Sequence, residues 1–476
     1  GQQMQVLSKV EGEFGYQLYI GQDGFVNFRI KTNTGILVIK SKNKIFVDEN
    51  WHHIEAVWDS SAGIYNSHLA VDRVVAWSAP ELGVLTDTQG PLSIGGIYRA
   101  ENNIGQRFCG HIDNVRISVD RPELLSVSGL PLSDPAVMTG THLTNQPGFL
   151  NMRFVYDPPV TPECHAGTLA QRSDGAIVAA WFGGTHEGHI DVGIWQSVFD
   201  GTNWAIPHEV GHGTYSNGTP SATFNPVLFQ YPANGPMLLF YMGGTLDKLL
   251  GTLQTSQDGG QAWSAPVRLP GTIRGATKNK PVLLADGTLL CPDNSGRLKF
   301  DRTRDYGQTW LASAYTPYGA ISAIQPTILT YPGGRLQALA RSQTGAVITT
   351  RSSDNGLTWS ALESTSLPNN NSGIDAATLA DGRQLLVYNH QGIPAGSWGG
   401  PRTPLNIAVS EDGISWQAAL VLEDEPGEYS YPAVIQSADG LVHILYTWNR
   451  LRMKHVVIDP AAFELRPITS GVWPVQ

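Results

Sequence analysis

Long apolar runs are missing from this chain of 476 residues. No stretch approaches the roughly 18 consecutive apolar residues of a membrane-spanning helix, so no membrane span is expected. Cysteine is scarce: Cys109, Cys164 and Cys291 lie far apart and match no metal-ligand spacing. That argues against a disulfide scaffold or a zinc site and leaves the three as small buried side chains. A surplus of positive charge is also lacking, with 31 Lys and Arg against 41 Asp and Glu and a formal net charge of -10. Such a chain has no general attraction for nucleic acid, and a polyanionic ligand would need a local basic pocket. No signal peptide heads the chain. The strand-like opening GQQMQVLSKV leads us to expect a processed piece whose export signal lies upstream, hence a secreted, periplasmic or cell-surface protein.

What is present favours strands. Glycine (52) and proline (30) are abundant, long charged helical runs are absent, and 41% of residues are hydrophobic. Many short strands joined by turns follow, an all-β class, and the length asks for two or more domains.

Residues 1 to about 118 alternate apolar and polar positions through YQLYI, FVNFRIKT, GILVIKS, WHHIEAVWD, SHLAVDRVVAW, PLSIGGI and GHIDNVRIS. On ENWHHIEAVWD (49 to 59), LAVDRVVAW and FCGHIDNVRIS (108 to 118), this segment resembles the laminin-G/concanavalin-A-like sandwich family. We expect this domain to be truncated at its start, without the opening strands usual in the family. The family often binds carbohydrate, frequently with calcium; no acidic cluster here is dense enough for a metal, and none is expected. His52 and His53, adjacent in a strand, face opposite ways and are read as structural. From 119 to 148 the alternation fades and Pro, Ser and Gly increase, the composition of a linker.

From 149 to 476 two repeats run out of phase. One is a turn with Asp, Gly and Trp at fixed offsets: SQDGGQAW (256 to 263), TRDYGQTW (303 to 310), SSDNGLTW (352 to 359) and SEDGISW (410 to 416), with a worn copy ending at Trp204. The carboxylate can accept backbone N–H groups, glycine can take positive φ, and tryptophan can cap the layer below. These turns resemble the Asp boxes of sialidase-type β-propellers. The second repeat is strand, turn, strand, beginning at HAGTL, NPVLF, KPVLL, QPTIL, DAATL and YPAVI. Six copies imply six blades, and FLNMRFVYD (149 to 157) is placed to supply the outer strand of the sixth. The expected architecture is thus a β-sandwich followed by a six-bladed β-propeller.

In such a ring the first strand of each blade lines the axis. The aligned leading residues are His165, Asn225, Lys280, Gln325, Asp375 and Tyr431, all able to hydrogen-bond; two residues earlier stand Lys278 and Tyr429 among others. The ends of the second strands add Trp181, Tyr241, Arg341, Asn389, His390 and Arg450, and the glycine-bearing loop GGTHEGHIDVGIW adds Glu187. Aromatic rings can stack on a sugar, while the polar groups can hold its hydroxyls or an acid group.

From 155 to the end the chain resembles the sialidase (neuraminidase) superfamily, as a divergent member. Familiar exo-sialidases open the first blade with an Arg-Ile-Pro motif whose arginine joins two others on the sialic-acid carboxylate; here CHAGTL stands in its place. GEYSYPAVIQ looks like the segment bearing the nucleophilic tyrosine, which makes Tyr429 or Tyr431 its equivalent. A neutral tyrosine suits an anionic sugar whose carboxylate would repel a carboxylate nucleophile. The resemblance implies an exo-acting glycoside hydrolase releasing sialic acid or another acidic sugar from glycoconjugates, with no cofactor. Tyr429 or Tyr431 would face the anomeric centre, and His165, Glu187 or Asp375 would handle protons. Lys280, Arg341, Arg402 and Arg450 are the cationic candidates for the carboxylate, with Lys278, Gln325, Asn225, Trp181, Tyr241, Asn389 and His390 in further contacts. If the missing motif marks a changed mechanism, His165 or Asp375 would activate water directly and give inversion. A uronate-cleaving lyase and a non-catalytic glycan-binding protein fit the same residues. The partner in each case is a glycan.

Overall fold

A computed structural model gives the fold and describes residues 4–11, 14–21, 23–31, 36–44, 54–57, 68–71, 74–77, 92–94, 97–99, 103–105, 145–214, 219–245, 248–293, 297–317 and 319–474. His52, His53, Cys109, the expected strand GHIDNVRIS and most of the expected linker lie outside the described residues. The chain divides into two units, Gly1–Ser133 and Asp134–Gln476.

In the first unit, Val26, Phe28 and Ile30 alternate along the strand Phe25–Lys31 and turn to one buried side. That strand sits in a five-stranded sheet ordered Ile36–Lys44, Phe25–Lys31, Phe14–Ile20, Met4–Glu11, Leu92–Ile94. A second sheet is built from Ile54–Val57, His68–Val71 and Val74–Trp77. Its Leu69, Val71 and Ala76 share one apolar cluster with Leu18, Ile20, Phe28 and Ile39 of the first, so two sheets bury a common core as a β-sandwich does.

The second unit is propeller-like, a succession of antiparallel sheets in which each strand pairs with the next along the chain. The first sheet runs Glu163–Gln171, Ile177–Gly184, Gly193–Phe199, His208–Gly211; the second runs Thr223–Gln230, Met237–Thr245, Lys248–Ser256, Val267–Arg268. The third is Val282–Leu283, Leu289–Asp293, Lys299–Thr303, Leu311–Ala312, and the fourth Ala323–Tyr331, Arg335–Ser342, Ala346–Ser352, Glu363–Pro368. The fifth is Asp375–Thr378, Gln384–Tyr388, Leu405–Ser410, Gln417–Glu423 with Arg466–Pro467 at its edge. The sixth takes Tyr429–Gln436, Val442–Trp448 and Arg452–Ile458 from the end of the chain and its outer strand, Phe149–Phe154, from before the first sheet. First strands pack on first strands: Glu163–Gln171 touches Thr223–Gln230 and Tyr429–Gln436, and Asp375–Thr378 touches Ala323–Tyr331 and Tyr429–Gln436.

The Asp-containing turns join the third and fourth strands of the second to fifth sheets. Each works through one carboxylate. Asp354 Oδ1 accepts from the Ser352 hydroxyl at 2.7 Å and from the Leu357 and Thr358 N–H groups at 3.1 and 2.9 Å. Asp258, Asp305 and Asp412 repeat the pattern. Gly356 takes φ 74°, and a Cβ there would lie 2.6 Å from Leu290, so glycine is needed for both conformation and space. Trp359 then stacks on Phe300 with ring centroids 4.0 Å apart.

Candidate functional site

Four first strands carry the same irregularity. The pairing register slips between His165 and Thr168, Phe224 and Val227, Ile324 and Thr327, and Ser430 and Ala433. Within each slip one residue has positive φ: Ala166, Asn225, Gln325 and Tyr431. Proline follows three of them and glycine follows Ala166. A proline has no N–H for the ladder, so the strand bulges there and turns the preceding side chain out of the pleat. The left-handed conformation costs a non-glycine residue roughly 1–2 kcal/mol, and such strain gathers where function fixes a side chain. This corrects the sequence alignment by one residue in the first sheet, where Ala166 rather than His165 matches Tyr431. Lys280 and Asp375 carry no such bulge.

Tyr431 is the centre of the resulting cluster. Its phenol oxygen accepts from Arg341 Nη1 at 2.6 Å and from Gln325 Nε2 at 3.4 Å. Arg341 is 2% exposed and is held by Gln325 Oε1 at 3.1 Å and Asn371 Oδ1 at 3.2 Å. Its guanidinium also lies 5.6 Å from the ring centre of Trp398, which is 64% exposed. The Arg402 guanidinium stands 5.6 Å from the centre of the Tyr431 ring. His165 packs on the same ring at 4.2 Å, and its Nδ1 meets the Thr447 hydroxyl at 2.9 Å. Burial, and then the cations Arg450, Arg402, Arg341 and Lys278, push the His165 imidazole well below its ordinary value. It therefore stands neutral near pH 7, without the proton a general acid needs.

One carboxylate holds two of the cations. Glu428 Oε1 accepts from Arg402 Nη1 at 2.6 Å and from Arg450 Nε at 3.1 Å, and Arg450 Nη1 reaches Glu187 Oε2 at 2.8 Å. Burial raises the Glu428 carboxyl, but Arg402 and Arg450 outweigh it and leave the group below its usual range. Arg450 owes its direction to a three-residue hairpin loop, 449–451: Asn449 and Arg450 both have positive φ, and Leu451 N donates to Trp448 O at 3.0 Å.

Other expected site residues fall outside this cluster. Trp181 is fully buried and stacks on Tyr156 at 5.0 Å, so it has no face for a sugar. Tyr241 and Tyr429 are likewise core residues, in different apolar clusters. Of the two tyrosines left open by the sequence, Tyr431 is the one whose phenol meets Arg341 and whose ring stands beside Arg402. Asn389 is buried, donating to Pro404 O and Tyr429 O. His390 bonds Tyr388 Oη and Gly471 O, packing against Trp473. Lys280 is paired with Asp375 at 2.9 Å, and Asp375 also accepts from Thr327 Oγ1 and Val434 N; Asp375 thus ties the fifth sheet to the fourth and sixth and has no oxygen left to activate water. Lys278 is buried beneath Tyr431 and donates only to protein oxygens, Asn279 Oδ1, Ile374 O and Pro432 O, so it is no substrate contact. Asn225 is half-buried on its bulge; Glu187, by contrast, is exposed but joins the cluster through its bond to Arg450.

Glu428, Asn371, Trp398 and Thr447 belong to the cluster and were not among the expected residues. Trp398 had a signal: it stands in a glycine- and proline-rich loop, GIPAGSWGGPR, away from any Asp turn. Glu428 had none, since its partners lie on two other loops.

A BNR repeat-like domain model matches residues 175–444, and a laminin G domain model matches residues 8–119. The anhydrosialidase of Macrobdella decora is 22% identical over 192 residues, a match that spans 36% of this chain and 25% of that protein. Among solved structures, the NanB sialidase of Streptococcus pneumoniae superposes with a TM-score of 0.56 at 14% identity, covering 98% of this chain and 96% of that one. The intramolecular trans-sialidase of Ruminococcus gnavus gives 0.52 at 14% identity, covering 67% and 98%. At these identities the structural likeness is one of fold.

Proposed function

The chain belongs to the BNR repeat-like domain family, a sialidase-like propeller domain preceded by a laminin G domain, and from that premise we propose that it is an exo-acting glycoside hydrolase of sialidase type. The substrate is a glycoconjugate ending in an acidic sugar, sialic acid first. The six larger sheets of residues 149–476 form a closed six-bladed propeller with Tyr431 at its axis; residues 1–118 are a glycan-binding sandwich, and residues 119–148 link the two. A protein with this substrate works outside the cytoplasm.

The observation that carries this reading is the Tyr431 phenol held by Arg341 at 2.6 Å with the Arg402 guanidinium beside its ring. Two guanidiniums, those of Arg341 and Arg402, can grip the sugar carboxylate beside Tyr431. That places the anomeric carbon at the phenol oxygen, a nucleophile without a charge to repel the substrate. The oxygen–carbon bond to Tyr431 forms as the glycosidic bond breaks and the phenol gives its proton to solvent; a water then attacks the anomeric carbon, leaving its hydroxyl on the sugar and returning a proton to the Tyr431 oxygen. The proton for the leaving oxygen is assigned to Glu187 of the exposed loop 185–192, its Oε2 2.8 Å from Arg450 Nη1. His165 occupies the place of the superfamily's first-blade arginine, so the carboxylate is held by two guanidiniums and a neutral imidazole.

The test is to incubate the chain with sialyllactose, sialylated mucin glycans and uronate polysaccharides. Free sialic acid is the expected product. Unsaturated uronate would instead assign a lyase, and glycan binding without any product would assign a lectin.

A further inference from the structure

Lys278 is 3% exposed and forms no ion pair among the described residues, an unusual state for a lysine. Its three ammonium protons are all used: on Asn279 Oδ1 at 2.8 Å, Ile374 O at 2.8 Å and Pro432 O at 2.5 Å. Asn279 passes the connection on, donating from Nδ2 to Gln325 O at 3.0 Å. The Lys278–Asn279 pair therefore grips the carbonyl of Gln325 and the one directly after Tyr431. Gln325 and Tyr431, the residue before Pro432, are left-handed, with φ 55° and 52°, and their side chains meet Arg341. Gly373 closes the fit: a Cβ there would stand 3.2 Å from both the Lys278 stem and the Tyr431 ring.

We propose that Lys278 is a positioning residue for Tyr431, its buried ammonium fixing the Pro432 carbonyl, one residue past the left-handed Tyr431, and thereby the direction of the phenol. The proposal rests on the reading of Tyr431 as nucleophile and adds to it a control by pH. Burial brings the ammonium down to about 7, with Asp375 opposing and Lys280 and Arg341 assisting. The charged and titratable groups around it are Lys280 on its own segment, Arg341 and Asp375 on the fourth and fifth sheets, and His165 and Tyr431 on the first and sixth. As pH rises through that value Lys278 loses a proton, leaving two donors for three acceptors. Its hold on the Pro432 carbonyl weakens, and turnover falls with it.

The experiment compares wild type with Lys278→Met and Lys278→Gln, measuring kcat and KM on a fluorogenic sialoside from pH about 5.5 to about 9. Near pH 6 each variant should lose kcat by about tenfold to a hundredfold, the scale of a misplaced reacting group, with KM changed by less than about threefold. The fall in wild-type kcat above about 7 should be absent from both variants. Variants that keep that fall, or turn over at the wild-type rate, would overturn the proposal. A wild type that releases no sugar ends the sialidase reading instead. The positioning role is then judged by crystal structures of wild type and Lys278→Met: it predicts that Tyr431 Oη leaves Arg341 in the variant, and an unmoved phenol contradicts it.

Discussion

Arg341 Nη1 donates to Tyr431 Oη across 2.6 Å, joining the second strand of the fourth sheet to the first strand of the sixth. Removing only the oxygen, by Tyr431→Phe, leaves the ring against His165 and should leave the fold intact. Release of sialic acid should fall by about a thousandfold or more, since a nucleophile is lost rather than a binding contact. Unchanged thermal unfolding alongside the rate loss is the check.

Arg341 and Arg402 should not be equal in effect. Arg341 is buried with three side-chain acceptors, whereas Arg402 is half-buried against Glu428 and Ser430. Arg341→Lys keeps a charge but loses the fork, and should weaken binding of free sialic acid by about tenfold or more, measured by calorimetry. Arg402→Lys should weaken it less.

The Asp turns should matter for stability and not for chemistry. Burial raises the Asp354 carboxyl, yet its bonds from Thr358, Ser352 and Leu357 hold it at about 2. Asp354→Ala removes these bonds and should cost about 1–3 kcal/mol, read as a lower unfolding midpoint, with kcat unaltered below that midpoint. The lowered value fixes the sign with pH. This contribution is complete above the unfolded value of about 3.9 and is lost as pH falls towards about 2.

Lys278 gives a slope of the same sign in a higher pH window. Its folded value of about 7 lies below the unfolded value of about 10.4, so between the two the unfolded chain holds a proton the folded chain has released. Stability therefore rises with pH across that window. Compared with Lys278→Met, wild type should gain in unfolding midpoint as pH is raised from about 7 to about 9.5.

The features legible in the sequence were local ones. The Asp turns are written in consecutive residues, and the outer strand Phe149–Phe154 in its alternation. Which side chains reach Tyr431 was not so accessible. Ile177–Gly184 is buried on both faces, so no alternation marks Trp181 as a core residue. A bulge reverses facing partway along a strand, which is why Tyr429 is buried in the core and Tyr431 meets the arginines while only two residues apart. In the first sheet Ala166-Gly167 replaces the residue-proline pair seen at Asn225, Gln325 and Tyr431, and the alignment slipped onto His165. Glu428 depends on Arg402 and Arg450, which reach it from separate loops.

The most direct measurement is to trap the sugar on the protein. A sialosyl fluoride bearing a second fluorine beside the anomeric carbon would lose its anomeric fluoride to the nucleophile and stall as an adduct. Peptide mass spectrometry should then find the added sugar on Tyr431, and none on the Tyr431→Phe variant. Sugar release without any adduct, or an adduct on a peptide that lacks Tyr431, would contradict the assignment.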